Sequence, residues 1–147
     1  APLWLAKAIN KLQGQYTSGA SSIAQKAAEA AFAGDQQCVA DMREAFRRRR
    51  DLIVERLREI PGLDVNVPDG AFYVFPGVTS FFGKSAGEHT IRDANDLAMY
   101  LLQEAHVATV SGDAFSCPGH IRLSYATSDA NIIEATTRIK TALAKLG

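Results

Sequence analysis

Hydrophobic positions recur along this chain first at helical spacing, then by alternation, then in a mixture of the two. Leu3, Trp4, Leu5, Ala8, Ile9 and Leu12 form a helical stripe, with Pro2 suited to the first turn. Residues 13–22, QGQYTSGASS, interrupt that stripe with two glycines and four hydroxyl residues around Tyr16. They predict a loop whose last serines, Ser21 or Ser22, cap a second helix, IAQKAAEAAF. A longer helical pattern runs from about Asp35 to Ile60, with Val39, Met42, Phe46, Ile53, Leu57 and Ile60 on its apolar side. From Pro61 the period changes to two. Leu63, Val65 and Val67 alternate, Pro68, Asp69 and Gly70 make a turn, and Ala71 to Phe75 read as a returning strand, which together predict a hairpin. Residues 77–90 are rich in glycine and serine and read as a long loop with Phe81 and Phe82 exposed. A helix follows from about Asp93 to Ala105 with Leu97, Leu101 and Leu102 inward, then a strand from Val107 to Val110 and a loop from Ser111 to His120. A second strand precedes a final helix from Ser128 to Leu146, capped by Ser128 or Asp129 and burying Ile132, Ile133, Ile139 and Leu143. After the long helix the order is therefore strand, strand, helix, strand, strand, helix. That order predicts an α/β chain of the α+β kind, with helices packed on one face of a small sheet.

Composition narrows the function classes. Sixteen basic and sixteen acidic residues cancel to a net charge of zero, which argues against nucleic acid or an anionic membrane as partner, since either needs a surplus of Lys and Arg. No apolar run approaches the roughly 20 residues that span a bilayer. The opening residues, APLWLAKAINKLQ, lack the layout of a secretory signal. Cys38 and Cys117 are too few and too far apart for a disulfide framework or a zinc site, so a cytoplasmic protein with reduced thiols is expected. The first residue is Ala1, not Met, and the helical stripe begins almost at once, which points to a piece of something larger.

The candidate chemistry centres on residues 121–128, IRLSYATS. Ile121, Leu123 and Tyr125 share one face of a strand, and Arg122, Ser124 and Ala126 share the other. Arg122 has two readings: an edge-strand residue pointing into water, or a guanidinium held on a rigid element to grip a carboxylate with its planar fork. Ser124 has two as well, a partner that orients Arg122 or an ordinary strand serine. The run Arg47 to Arg50 reads as a solvated helix face paired with Glu44, Asp51 and Glu55, at least one arginine packing its stem along the buried flank. His89, His106 and His120 are scattered, with no carboxylate or cysteine at metal-ligand spacing, so surface or capping roles and no metal site are expected. Gly112 and Asp113 suit a tight turn.

Five segments, QGQYTSGASSIAQ, RRRRD, VPDGAFYVFP, VATVSGDAF and IRLSYATS, stand in an order and at spacings that resemble the C-terminal part of a fold-type I, pyridoxal-phosphate-dependent aminotransferase. The bacterial aspartate aminotransferases are the members it resembles most, and the resemblance covers essentially the whole chain. It implies that residues 1–33 are the C-terminal end of the large cofactor-binding domain. Residues 34–60 would then be a connecting helix and 61–147 the small C-terminal domain.

In that family the final motif holds the arginine that binds the substrate α-carboxylate, which here falls on Arg122. The Gly-Ala-Phe-Tyr segment lines the edge of the substrate pocket, mapping loosely to Gly70, Ala71 and Phe72. The loop of Tyr16, Thr17 and Ser18 resembles one at the dimer interface near the neighbouring subunit's active site, where Tyr16 either reaches the partner's site or anchors its own loop. The resemblance further implies a homodimeric transaminase exchanging amino acids and 2-oxo acids, aspartate and 2-oxoglutarate foremost, on pyridoxal 5'-phosphate. The Schiff-base lysine and the groups that hold the cofactor's phosphate and ring belong upstream of the segments seen here. Lys7, Lys11, Lys26, Lys84, Lys140 and Lys145 sit in no segment resembling the family's lysine motif and read as surface charge. The chain alone therefore holds no catalytic residue and is expected to be inactive. Two other classes fit the residues without the resemblance: a stand-alone α+β module that binds a small amino acid through Arg122, and a purely structural interaction domain.

Overall fold

The longest element of the computed structural model, which describes residues 1–147, is helix α3, Gln37–Arg58. It begins where Asp35 Oδ1 accepts the backbone N–H of Gln37 at 3.0 Å, the side-chain capping expected of an aspartate before a helix. The chain divides into two compact units, Ala1–Asp41 and Met42–Gly147.

The first unit holds α1, Leu3–Tyr16, and α2, Ser22–Ala33. α1 is longer than its apolar stripe predicts: Gly14 lies within it, and the predicted loop shrinks to residues 17–21. Helical hydrogen bonding carries through one glycine because a single Gly costs only about 1 kcal/mol in a helix interior. Ser21 stands at the cap of α2 without making a side-chain cap bond. Gln25 Nε2 donates instead to the Ala20 carbonyl at 2.8 Å. Neither helix has a buried residue: Leu3, Trp4, Ile9, Leu12, Ile23 and Phe32 are all exposed. Val39 and Met42, read as part of the apolar side of α3, are exposed as well, and burial on α3 is confined to Ile53, Val54 and Leu57 with Phe46 packed at the margin.

The second unit is organised by β5, Ile121–Ser124, the middle strand of a three-stranded antiparallel sheet. On one side it pairs with β1, Tyr73–Val74, in the register Tyr73 to Ser124 and Val74 to Leu123. On the other it pairs with β4, Val110–Ser111, in the register Val110 to Arg122 and Ser111 to Ile121. Ile121, Leu123, Tyr125 and Val74 are buried in one core with Ile53, Leu57, Leu97, Leu101, Ile132 and Ile139. α4, Ala94–Ala105, is capped by Asp93, whose side chain accepts from the N–H groups of Asn95 and Asp96. α5, Asp129–Leu143, is capped by Ser128 accepting from Asn131. Tyr100 Oη donates to the Ala142 carbonyl at 2.8 Å and locks these two helices together. Burial raises the Tyr100 hydroxyl above its ordinary pKa, with the Glu104 carboxylate adding to the shift.

Further expectations are corrected, among them the strand predicted at Val107 to Val110, of which only Val110 is paired, in a strand that runs on to Ser111. The alternating residues 63–67 form no strand, and the predicted hairpin is absent. Leu63 and Val65 pack against the core from a loop, and only Asp64 makes a ladder contact, exchanging both hydrogen bonds with Gly77 at 3.0 and 2.9 Å. Phe81, expected at the surface, is 2% exposed, because a turn at Thr79–Phe81 rotates it into the core, where Phe82 also packs. Residues 77–90 also contain a small hairpin, β2 (Ser85–Ala86) with β3 (His89–Thr90). Leu102 and Ile133 face solvent, while Leu97, Leu101, Ile132, Ile139 and Leu143 are buried as predicted.

The four arginines of α3 find a partner that local spacing does not reveal. Arg47 approaches Glu44 at 3.8 Å and Arg50 holds Asp51 at 2.7 Å, as expected, but Arg48 and Arg49 both reach Asp129, at 3.0 and 3.4 Å. Glu55 makes no ion pair with them. Arg49 and Arg50 lie along the flank with most of their stems covered. Arg56 extends the seam, donating to Thr136 Oγ1 at 2.6 Å and Thr137 Oγ1 at 2.8 Å. The Arg48 hydrogen bond is the largest cause holding the Asp129 carboxyl below the usual aspartate range, and Arg92 does the same to Asp96. A depressed carboxyl contributes stability above its unfolded pKa, about 3.9, and loses it as pH falls through the lower folded value. The urea midpoint should therefore fall as pH drops below about 4, and Asp129→Asn should flatten part of that fall. An unchanged pH profile in Asp129→Asn would show that the pair is not coupled to folding.

Candidate functional site

Antiparallel pairing sends alternate residues of β5 to opposite faces, so the side chain next to buried Ile121 and Leu123 must face away from the core. That side chain is Arg122, half-buried on the outer face. Its guanidinium carbon lies 4.8 Å from the ring centroid of Phe115 and 5.6 Å from that of Tyr73. Tyr73 is on the same face, since it pairs with Ser124 across the ladder and a diagonal neighbour is within reach of a long side chain.

Phe115 arrives from the turn Gly112–Phe115. Ser111 Oγ accepts the Asp113 N–H at 3.3 Å and donates to Asp113 Oδ2 at 3.0 Å, while Asn95 Nδ2 of α4 donates to the same carboxylate at 2.6 Å. Ser116 then turns the chain with φ of 54°. Phe115 also meets Phe75 edge to face at 6.0 Å, and Phe75 stacks on His120 at 5.2 Å with the rings 13° from parallel.

What Arg122 lacks is as informative as what it touches. Every other arginine finds an oxygen: Arg43 and Arg47 approach Glu44, Arg48 and Arg49 reach Asp129, Arg50 holds Asp51, and Arg56 bonds Thr136. Arg58 donates to the Val65 carbonyl, Arg92 pairs with Asp96, and Arg138 with Glu134. Arg122 alone makes neither a hydrogen bond nor an ion pair, and two aromatic rings stand where a carboxylate would otherwise neutralise it. Rings attract the cation through their faces and leave its N–H groups unused. A planar fork held this way can take both oxygens of one carboxylate.

The remaining predicted residues are distributed unevenly. Phe72 is partly exposed and packs edge to face on Tyr73 at 5.6 Å, one ring removed from Arg122. Gly70 lies elsewhere, lining a cleft of about 210 Å³ with Arg43, Arg47, Arg50 and Tyr125 that does not include Arg122. Ala71 joins the two places at φ of 67°, its carbonyl accepting from Tyr125 Oη at 3.0 Å. Tyr16 is 83% exposed and donates to nothing, so it does not anchor its loop. Thr17 ends α1 through its N–H to Gln13, and Ser18 has φ of 61°.

Ser124 does not orient Arg122. Its hydroxyl bonds to the Phe72 carbonyl at 3.4 Å and accepts the Ala126 N–H at 3.2 Å. Of the histidines, His106 forms the left-handed cap of α4, as a capping role predicts, whereas His120 is stacked and lies 3.4 Å from Cys117 Sγ. Tyr73, Phe75 and Phe115 were not singled out in the sequence, and His120 was read only as a surface or capping residue, because only the pairing of β1 and β4 with β5 brings them to one place. No cluster of His, Cys, Asp and Glu could hold a metal ion.

The groups around Arg122 do not fit pyridoxal phosphate itself, which needs an amine for its aldehyde carbon and a cradle of N–H donors for its phosphate. Lys26 pairs with Glu29, Lys84 lies over Phe81, Lys140 holds Glu59, and Lys145 approaches Glu104. Lys7 and Lys11 are on exposed α1. The donor set at Arg122 fits a carboxylate.

The second unit is thus a small antiparallel sheet packed with helices that carries one unpaired guanidinium on its outer face. The profile of aminotransferase class I and II matches residues 1–139. An aspartate aminotransferase of Rhizobium meliloti strain 1021 is 45% identical over 146 residues, 99% of this chain and 36% of its own length. An aspartate/prephenate aminotransferase of Cereibacter sphaeroides is 46% identical over 140 residues, covering 95% of this chain and 35% of its own. The crystal structure of the aspartate aminotransferase from Rhizobium meliloti superposes with a TM-score of 0.90 at 44% identity, over all of this chain and 37% of that one. This chain belongs to the aminotransferase class I and II family, whose members depend on pyridoxal phosphate, and it corresponds to their C-terminal part. It spans about a third of the length of these relatives.

A Cβ added to Gly112 would lie 2.2 Å from the Cys117 carbonyl oxygen and 2.8 Å from that of His120. Both are backbone atoms, and Gly112 N–H donates to the same His120 carbonyl at 2.8 Å. Gly112→Ala should thus destabilise the chain by about 1–3 kcal/mol in urea denaturation and move Phe115 away from Arg122. The second effect would be read as loss of the ring-current shift of the Arg122 Nε–H proton. A wild-type spectrum and midpoint would contradict this account of the turn.

Proposed function

We propose that this chain is the C-terminal part of a pyridoxal-phosphate-dependent aminotransferase exchanging an amino acid with a 2-oxo acid, aspartate and 2-oxoglutarate being the favoured pair. In this reading Arg122 binds the substrate α-carboxylate. The observation that carries it is Arg122 itself, the one arginine without an oxygen partner, mounted on the central strand between two rings.

A transaminase loads two different acids in turn, and what they share is an α-carboxylate beside an amine or a carbonyl. A bidentate guanidinium on a strand holds both acids in the same pose, which fixes the orientation of the Cα–H bond relative to the reacting groups. The rings beside it exclude part of the water that would otherwise weaken the contact. The groups that hold the cofactor, including the Schiff-base lysine, belong on this reading to the rest of the parent enzyme, so the 147 residues alone do not transaminate. The dicarboxylate preference is supported by the names of the relatives, an aspartate and an aspartate/prephenate aminotransferase. A homodimeric parent with residues 16–18 near the partner's active site follows from the family resemblance.

Lysine at 122 keeps the charge and loses the fork. Each charge-assisted hydrogen bond sheltered from water contributes about 1.5–3 kcal/mol, so Arg122→Lys in the full-length enzyme should lower kcat/KM for aspartate by roughly 10- to 100-fold, chiefly through KM. Wild-type kcat/KM in that variant would end the assignment of Arg122.

A further inference from the structure

We propose that Phe115 is a positioning residue for Arg122, its ring face holding the guanidinium turned for a carboxylate before any ligand arrives. This inference rests on the reading of Arg122 as a carboxylate site.

Phe115 is 46% exposed, so burial gives only part of the reason for a phenylalanine at this point. Its ring is nevertheless held, directly by one neighbour and indirectly through the turn that carries it. The Gly112–Phe115 turn is pinned to α4 by the Asn95 to Asp113 hydrogen bond, Phe75 meets the ring edge to face, and His120 stacks behind Phe75. Of the two rings near Arg122, Phe115 is the closer, at 4.8 Å against 5.6 Å for Tyr73. A free arginine must surrender rotamer freedom when it grips a ligand. Here the ring quadrupole attracts the cation without occupying its donors, so part of that ordering is complete in the unliganded protein. Tyr73 alone, farther away and part of a two-residue strand, would leave the side chain more freedom.

The test uses the full-length enzyme. Phe115→Leu keeps most of the apolar volume and removes the quadrupole. KM for aspartate is expected to rise about three- to tenfold with kcat within about twofold, and Phe115→Tyr or Phe115→Trp should restore KM. Replacing Phe115 by its pentafluoro analogue preserves shape while reversing the ring quadrupole, so KM should rise there too, and this isosteric variant decides the matter if the leucine protein does not fold. In the 147-residue chain, the ring-current shift of Arg122 Nε–H should disappear in Phe115→Leu and persist in Phe115→Tyr. Unchanged KM in the leucine and pentafluoro enzymes, alongside a raised KM in Arg122→Lys, would overturn the role of Phe115 and leave that of Arg122 standing. Unchanged KM in Arg122→Lys as well would remove the reading on which the inference rests.

Discussion

The pairing of β5 with strands on both sides is the constraint on which the second unit depends. Because side chains alternate across a strand, the register that buries Ile121, Leu123 and Tyr125 also dictates that Arg122 points the other way. A slip by one residue would bury an unpaired guanidinium and expose three large apolar side chains, an outcome costing far more than the few kcal/mol by which a domain of this size is stable. The core therefore fixes the direction of the guanidinium. Tyr125 adds a tether, since its backbone N–H donates to the Phe72 carbonyl and its hydroxyl to that of Ala71. The segment carrying Phe72 and Tyr73 is thus held by the same strand that carries Arg122.

Charge in the rest of the chain is spent on fastening elements together. Arg48 and Arg49 on Asp129, Arg56 on Thr136 and Thr137, and Lys140 on Glu59 join α3 and the residue following it to α5 along one seam. The ion pairs of Arg48 and Lys140 are largely solvent-exposed and individually worth little, whereas Arg49 and Arg56 bond from partly buried positions; together they align two helices whose apolar sides meet in the core. Against that background, two aromatic rings around Arg122 mark a different use of charge. A carboxylate in their place would stabilise the fold slightly and occupy the donors.

Helices were legible in this sequence wherever a cap and an apolar stripe agreed. Asp93 before Leu97 and Leu101, and Ser128 before Ile132 and Ile139, both carry their boundary and their buried face in local residues. The segment at 63–67 shows the opposite case. Its alternation is real, but a strand needs a partner, and only Asp64 finds one, in Gly77. Phe81 was misread because glycine and serine neighbours imply surface, whereas a single helical turn is enough to reverse a side chain. The outward direction of Arg122 was legible through its odd place in an apolar run. Phe115 and Tyr73 were not, since 42 residues separate them in sequence and the sheet alone brings both to Arg122.

The helices of the first unit carry a different consequence. Leu3, Trp4, Ile9, Leu12, Ile23 and Phe32 stand exposed on α1 and α2, which have no buried residue of their own. Large apolar side chains left on the surface favour self-association in water. Prepared alone, the 147-residue chain will be governed by its concentration as much as by its folding equilibrium. Colloidal behaviour, which depends on α1 and α2, and native structure, which depends on the sheet and its core, thereby become separable properties of one short polypeptide.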